Sequence, residues 1–566
     1  MASVSSRLAA HVSRKRTPQS EQADPRQAPN NAGGFTFVVD DWKRLDRFLI
    51  LGTDGGTYYV SERKLTKDNA ACVGRCLAAD YKRTIDQIVA VSEAGRAPKN
   101  GPAVFALALA ASADQPEARS YALSMLSRVC RIGTDLFAFA AVCNELRGWG
   151  RGLRKGIGTW YSGKTPDQLA YQLIKYQQRD GWSHRDLLRL AHVEHSDLLR
   201  YVVSGAEFGE RVVERKLKTE KVSKTYAAVD PSTLPALVQA YEEMKRATDV
   251  KDVIRLVREH RMTREMVPTQ WLNDVAVWDA LLATMPMTAM IRNLGKMTSV
   301  GLLAPLSDGV AQVCSKLGNE SALKKARVHP IGLLAALHVY GQGKGVRGKL
   351  TWSPDPRIAS ALDAAFHLSF QTIVPTGKKL LLALDVSGSM SSSPCGMTGI
   401  TAAMAAAAMC MVTARTESEY HIMGFADSFR DLKITPHMSL QEVMERTAIS
   451  NFGTTDCGQP MRWARKNKVP CDGFVVYTDN ETYAGDVHPF QELKAYRQQM
   501  GRDAKEVVVG MTTTECSIAD PSDAGSLDVV GFDTATPNVI ADFLRGDAAP
   551  EEGGSEPVED ASSDDE

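Results

Sequence analysis

From Trp42 to about Phe370, apolar residues recur at i, i+3, i+4 and i+7, the signature of helices with one buried face. The joins between periods are short and rich in Gly, Asp or Pro. The spacing predicts helices over Trp42–Leu51, Asn69–Ser92, Ala103–Ala111, Pro116–Cys130, Thr134–Leu146, Thr165–Gln178, Arg185–Ala191, Leu234–Ala247 and Val277–Met285. Almost nothing in this half alternates with period two. Antiparallel helix pairs in unbroken succession stack as an α-solenoid of the HEAT sort, because each pair leaves an apolar face that only its neighbour covers. No fixed-period sequence repeat accompanies them.

At Pro375 the pattern changes. Short Val- and Leu-rich runs at 379–386, 421–426, 473–479, 506–511 and 527–532 read as strands buried on both faces. They alternate with helical stretches at 401–416, 440–448, 458–466, 489–500 and 537–543. That alternation predicts a doubly wound α/β sheet. The expected organisation is a polar, disordered basic arm (1–34), a helical-repeat domain (35–371), an α/β domain (372–545) and an acidic disordered tail (546–566).

Composition changes this picture little. Of 566 residues, 44% are hydrophobic and 24% charged, enough apolar material for a large core. No apolar run approaches the ~18 residues of a membrane span, so no membrane association is expected. Ten scattered cysteines without a Cys-x-x-Cys pair point to free thiols in a reducing, cytoplasmic setting. Cys72 and Cys76, four apart, read as two thiols on one helix face. The first sixteen residues are basic and free of acids, a composition shared by a disordered arm and an organelle transit peptide.

Charge says more. The chain is formally neutral, but residues 546–566 hold nine acidic residues and no Lys or Arg, which leaves a net +9 on residues 1–545. A basic body with an acidic tail implies a polyanionic ligand, with the tail as its competitor.

Asp385-Val-Ser387-Gly-Ser389 closes the first predicted sheet strand, at the end where open α/β sheets take ligands. Two further pieces fall at equivalent loop positions: Thr455 before a helix and Asp479 at a strand end. Two carboxylates and three hydroxyls make an all-oxygen donor set, sparing in charge, that suits Mg²⁺ better than Ca²⁺. Asp385, Ser387, Ser389, Thr455 and Asp479 together look like the metal-ion-dependent adhesion site of von Willebrand A domains. No activating base accompanies them, since His421 and His488 belong to no such arrangement. Nucleotide-loop, nucleophile-elbow and zinc-protease motifs are also missing, so the expected role is binding without catalysis.

Residues 145–192 carry nine basic side chains against four acidic, interleaved with Trp149, Trp160, Tyr161, Tyr171, Tyr176 and Trp182. Cations pair with phosphates and aromatic faces stack on unpaired bases. Continuing the helix past Lys175 puts Tyr171, Lys175 and Arg179 on one stripe, with Leu169, Leu173 and Tyr176 on another, core-facing one. The Gly-rich run Gly148–Gly158 carries Arg151, Arg154 and Lys155, and as a loop it would bring backbone amides to phosphate oxygens. A second basic stretch, Lys216, Lys218, Lys221 and Lys224, is interleaved with Glu210, Glu214 and Glu220 and reads as a solvated face.

Several long strings resemble the Ro autoantigen family, in which a TROVE module precedes a von Willebrand A domain. They are Leu45–Leu65, Gly148–Tyr161, Lys175–His192, Met285–Met297, His329-Pro330, Gly345–Leu350, Pro375–Met390, Thr455–Gln459, Tyr477–Asp486 and Ile518–Phe532. The resemblance covers about residues 35–545 and is to a bacterial or phage-type member. It implies a ring of HEAT-like helices closed by the A domain. It implies a monomer that binds Y-like small RNA and misfolded structured RNA, whose 3′ end enters the ring hole, in quality control of noncoding RNA. An exoribonuclease tethered through the RNA would be a further partner. Family positions important for RNA fall on Lys175, Arg179 and His192. The sequence departs from the family pattern at Thr454, where Gly is expected, and at Gly152 and Gly156, where animal members tend to have Ala and where a more flexible loop is expected. A different reading of the same residues is a protein scaffold, gripping an acidic partner group through the metal.

Overall fold

A computed structural model describes residues 16–52, 70–193, 196–204, 211–216, 221–226, 229–346, 348–370, 373–392, 399–448, 453–512 and 514–546. The expectations for residues 1–15, for Lys218 and for the tail from Asp547 lie outside them. The first half folds as expected into stacked helices, opening with Asp41–Leu51, whose first amides are capped by Asp40 Oδ1. The predicted helix 69–92 is two, Ala71–Ala79 and Tyr81–Ala94. They break at Asp80, an extended residue whose carboxylate caps the second helix at Arg83 N (3.0 Å). Likewise 116–130 divides into Pro116–Ser124 and Leu126–Val129.

Two further departures bear on function. The Gly-rich run is no loop: Arg151–Ser162 is a helix, so beyond its first turn the amides bond within it and are withheld from a ligand. Gly152 and Gly156 are explained by packing, since a Cβ at either would lie 3.2 or 3.1 Å from Leu123. The helix Pro166–Lys175 ends three residues early, at Tyr176. Arg179 sits instead on a hairpin of β3 (Gln178–Arg179) and β4 (Trp182–Ser183), turned by Asp180 and Gly181, both at positive φ. Another hairpin, β5 (Arg211–Lys216) and β6 (Lys221–Tyr226), carries the second basic stretch into strand, which the helical reading of this half did not anticipate.

The α/β domain holds a six-stranded sheet of β7 (Leu380–Asp385), β8 (Tyr420–Phe425), β9 (Phe429–Asp431), β10 (Gly473–Thr478), β11 (Lys505–Gly510) and β13 (Ser526–Val530). Their order is β13-β11-β10-β7-β8-β9, parallel except for the edge strand β9. The chain leaves β7 toward β8 and returns to β10 on its other side, so the switch of direction lies at β7. Crevices for ligands form at that place.

Residues 16–34 contradict the disordered arm. β1 (Gln27–Pro29) and β2 (Phe35–Val38) pair with each other, and β2 pairs with β12 (Cys516–Ser517) of the α/β domain. Gln19 is wholly buried: its Nε2 donates to Asp456 Oδ1 (2.8 Å) and Val487 O (2.9 Å), and its Oε1 accepts from Thr482. Polar composition suggested disorder, but these amides replace water with buried partners and give up no hydrogen bond. The segment lies so close that a Cβ at Gly34 would overlap Thr482 O at 1.9 Å.

Both ends of the helical array reach the α/β domain. At the early end, buried Arg47 donates from Nη2 to both carboxylate oxygens of Asp528 on β13 (both 2.8 Å) and from Nη1 to Cys516 O (3.1 Å). At the late end, His329 Nε2 lies 3.0 Å from Arg96 O and 2.9 Å from Phe532 O. One imidazole therefore ties early helices, late helices and the α/β domain together. Among the described residues, no helix is long and apolar enough to cross a membrane.

Candidate metal centre and nucleic-acid face

Asp385 ends β7 and Asp479 follows β10, its neighbour in the sheet, so parallel pairing sets the two carboxylates side by side. Ser387 N donates to Asp385 Oδ1 (3.0 Å), and the Thr478 hydroxyl donates to Asp385 Oδ2 (2.7 Å). The Ser387 and Ser389 hydroxyls lie 3.0 Å apart. Glu481 N donates to Asp479 Oδ1 (3.1 Å), but the buried Asp479 Oδ2 has no hydrogen-bond partner. Asp385 and Asp479 are both fully buried. Burial and the facing Asp479 charge push the Asp385 carboxyl well above its ordinary range, and burial also raises Asp479.

Thr455 sits on the neighbouring loop, where its carbonyl accepts from Tyr483 N and Ala484 N (both 3.1 Å). That lashes the Thr455 loop to the one carrying Asp479. Thr454 is exposed, while Gly453 is required, since a Cβ there would lie 2.8 Å from Asp427 Cγ. Two facing buried carboxylates, one oxygen unpaired and hydroxyls aimed among themselves form a donor set that fits a hard divalent cation. Among the described residues, no group of three or more His, Cys, Asp and Glu side chains is placed to hold a metal. The histidines lie elsewhere. His488 holds the N-terminal segment through Glu21 O (2.8 Å), and His421 packs against Trp463.

The basic region divides into core and surface. Trp160, Tyr161 and His184 are core: Trp160 Nε1 donates to Cys130 O (2.6 Å), and Tyr161 Oη lies 2.7 Å from His184 Nδ1. Burial pushes His184 down to about 3, so it stays neutral. These rings are withheld from bases. Trp149 and Trp182 instead stack on each other, centroids 6.2 Å apart, and both remain half-exposed.

Arg151, Arg154 and Lys155 are exposed on the helix Arg151–Ser162. Lys175 is half-buried rather than exposed. Its ammonium donates to Tyr171 Oη (2.7 Å) and lies 5.2 Å from the Tyr176 ring centre. Arg179, on its hairpin, is exposed beside Asp180 (3.5 Å). His192 is exposed at the end of the helix His184–Ala191, with φ +51°. Tyr171, Lys175 and Arg179 therefore form no single helix stripe. The helices Arg151–Ser162 and His184–Ala191 pack on one another, and the Trp149–Trp182 contact joins the start of the first to the hairpin that carries Arg179.

Residues 28–338 match the TROVE domain family, and residues 379–544 match the Ro60 vWA domain family. A Deinococcus radiodurans protein named RNA-binding protein RO60 is 43% identical over 533 residues, covering 94% of this chain and 97% of the relative. A Caenorhabditis elegans protein of the same name is 37% identical over 603 residues, covering 94% and 92%. The crystal structure of the Deinococcus radiodurans RO (RSR) protein superposes with a TM-score of 0.65 at 41% identity, over 90% of this chain and all of that one.

Proposed function

Because the chain belongs to the Ro60 family of TROVE–vWA proteins, we propose that it is an RNA-binding protein without catalytic activity, acting in quality control of noncoding RNA. Its ligands are a Y-like small RNA and misfolded structured RNAs, the latter entering the ring by a single-stranded 3′ end. The observation that carries this reading is the exposure of Arg151, Arg154, Lys155 and Arg179 on the two elements that the half-exposed Trp149–Trp182 pair joins. Cations there meet phosphates, and the paired indoles offer a face to an unstacked base. Lys175 is held over tyrosine rings and His192 stands at a helix end, so both are pre-oriented. The RNA would in turn tether an exoribonuclease to a cytoplasmic, monomeric protein.

Asp385, Ser387, Ser389, Thr455 and Asp479 would hold Mg²⁺, which would supply a charge for docking an acidic or phosphate group. The protein residues themselves hold the loops in register: Thr478 fixes Asp385, and Thr455 O fixes the Asp479 loop. The test of the RNA reading is isolation of the protein from its native cells and sequencing of the RNA that accompanies it. One abundant small structured RNA, or variant structured RNAs with 3′ extensions, is expected. A preparation with no RNA above background would overturn the reading.

A further inference from the structure

Far-apart stretches of the helical array meet beside the α/β domain, and the space between them is basic. Residues 91–131 come from its early helices and residues 288–332 from its late ones, and together they enclose a cavity of about 230 Å³. Lys99, Arg131, Arg292 and Arg327 line it, and no Asp or Glu does. Stacking of neighbouring helices brings the Lys99 and Arg131 stretches together, and likewise those of Arg292 and Arg327; the seam joins the two pairs.

Arg131 is half-buried and held by neutral acceptors only: Nη1 donates to Ser92 Oγ (3.0 Å) and Arg128 O (2.8 Å), and Nη2 to Ser92 O (3.1 Å). Burial and the nearby Arg327 charge work against its ionised form and outweigh the support it draws from Asp135 and Glu93. Arg292 and Arg327 are exposed and form no ion pair among the described residues. The acids nearby are already engaged. Glu93 is gripped by Arg128 (2.7 and 2.6 Å), Asp533 pairs with Arg96, and Asp135, bonded by Asn100, is pushed by burial to about 6.

The backbone adds to the positive field. The helices Gly101–Ala111 and Pro330–Gly341 both begin at the cavity, and the first has no side-chain cap on its opening amides. Arg327 is held at φ +49°, facing Gly95 at φ +65°, where an added Cβ would sit 3.3 Å from Arg327 Cβ. A non-glycine residue in that conformation is the kind of strain that gathers at ligand sites. Arg131 and Arg327 repel one another, which an anion bound between them would relieve.

We propose that this seam is a phosphate-binding site, and that a bound phosphate group draws the early and late helices of the array together. The cavity is smaller than the ~300 Å³ floor of most drug-sized ligand sites, which suits a phosphate or pyrophosphate group. Guanidinium forks match phosphate oxygens in pairs. The group comes from free phosphate or from the backbone of a polynucleotide strand.

The experiment titrates the full chain at constant ionic strength, first with pyrophosphate and then with an unstructured twelve-residue oligoribonucleotide. Calorimetric affinity and the melting temperature are the readouts. Arg292→Gln and Arg327→Gln, both exposed, test the site without disturbing the core, and Arg131→Gln tests its buried wall. Saturable pyrophosphate binding that raises the melting temperature, and weakens at least tenfold in Arg292→Gln and Arg327→Gln, is the expected result. Oligoribonucleotide binding that weakens tenfold, with no pyrophosphate binding, also supports the site and assigns it to a strand. Affinities for both ligands that are unchanged in all three variants overturn it. The Lys175→Ala/Arg179→Ala double variant separates this inference from the RNA reading, because loss of RNA binding there alone leaves that reading standing and removes only the seam.

Discussion

The candidate metal centre and the basic face are both polar sites, yet they are built on opposite principles. Asp385 and Asp479 are fully buried on strand ends that the sheet fixes relative to one another. Arg151, Arg154, Lys155 and Arg179 are exposed on helices and a hairpin that leave their side chains in water. A buried carboxylate is costly unless paired, so its surroundings are fully specified; an exposed arginine is tolerated almost anywhere and is specified only by its ligand. Substitutions should therefore act on stability at the first site and on affinity at the second.

The largest break is expected where the two halves join. Asp528→Ala leaves Arg47 buried without its carboxylate partner. It is expected to cost about 3–5 kcal/mol of stability, since an uncompensated charge remains inside. Chemical denaturation would read this, and a loss under 1 kcal/mol would show that Arg47 reaches water or another partner.

Next comes the metal centre. Mg²⁺ at a hundred times its dissociation constant should add about 2.7 kcal/mol. In Asp479→Asn the metal-free protein should melt higher than wild type, because one of two facing buried carboxylates is gone, and the Mg²⁺-dependent rise should vanish. Differential scanning calorimetry with and without Mg²⁺ checks both signs, and a metal-free variant that melts lower than wild type contradicts the repulsion.

At the basic face, Lys175→Ala with Arg179→Ala should weaken RNA binding at least tenfold, roughly 1.4 kcal/mol, and make the salt dependence shallower by about two phosphate contacts. Its melting temperature should stay close to that of wild type. Filter binding across salt concentrations reads the slope, and an unchanged slope would place the phosphates elsewhere.

The smallest effect is one of pH. Burial holds the His329 imidazole down at about 4, and its neutral form accepts from Ile331 N (3.2 Å). A depressed folded value means that this contribution is complete above the unfolded value near 6.5 and is lost as the pH falls through about 4. Roughly 1 kcal/mol should be gone by pH 6. His329→Gln should flatten that part of the stability profile, and an unchanged profile would remove His329 as its source.

Legibility in the sequence followed the same division. The strand-end motif from Asp385 to Ser389 is readable because one short string at a strand end carries three of the five proposed donors. Trp160 and Tyr161 looked as available to a base as Trp149 and Trp182, because aromatic type does not reveal exposure. The Thr165–Gln178 periodicity ran past the true helix end, since the Asp180-Gly181 turn that seeds the hairpin lies beyond it. The polar composition of residues 16–34 concealed Gln19, whose partners Asp456, Thr482 and Val487 are more than four hundred residues away.

By itself the sequence determined the succession of helices, the alternating strands of the sheet, and the pairing of a basic body with an acidic tail. The first two follow from periodicity and the third from composition, and both are local properties of the chain. Tertiary structure alone decided that Asp385 and Asp479 face each other, that residues 16–38 lock onto the α/β domain, and that Lys99, Arg131, Arg292 and Arg327 share one cavity. Each of these depends on burial and long-range register, which arise only when distant segments exclude water together.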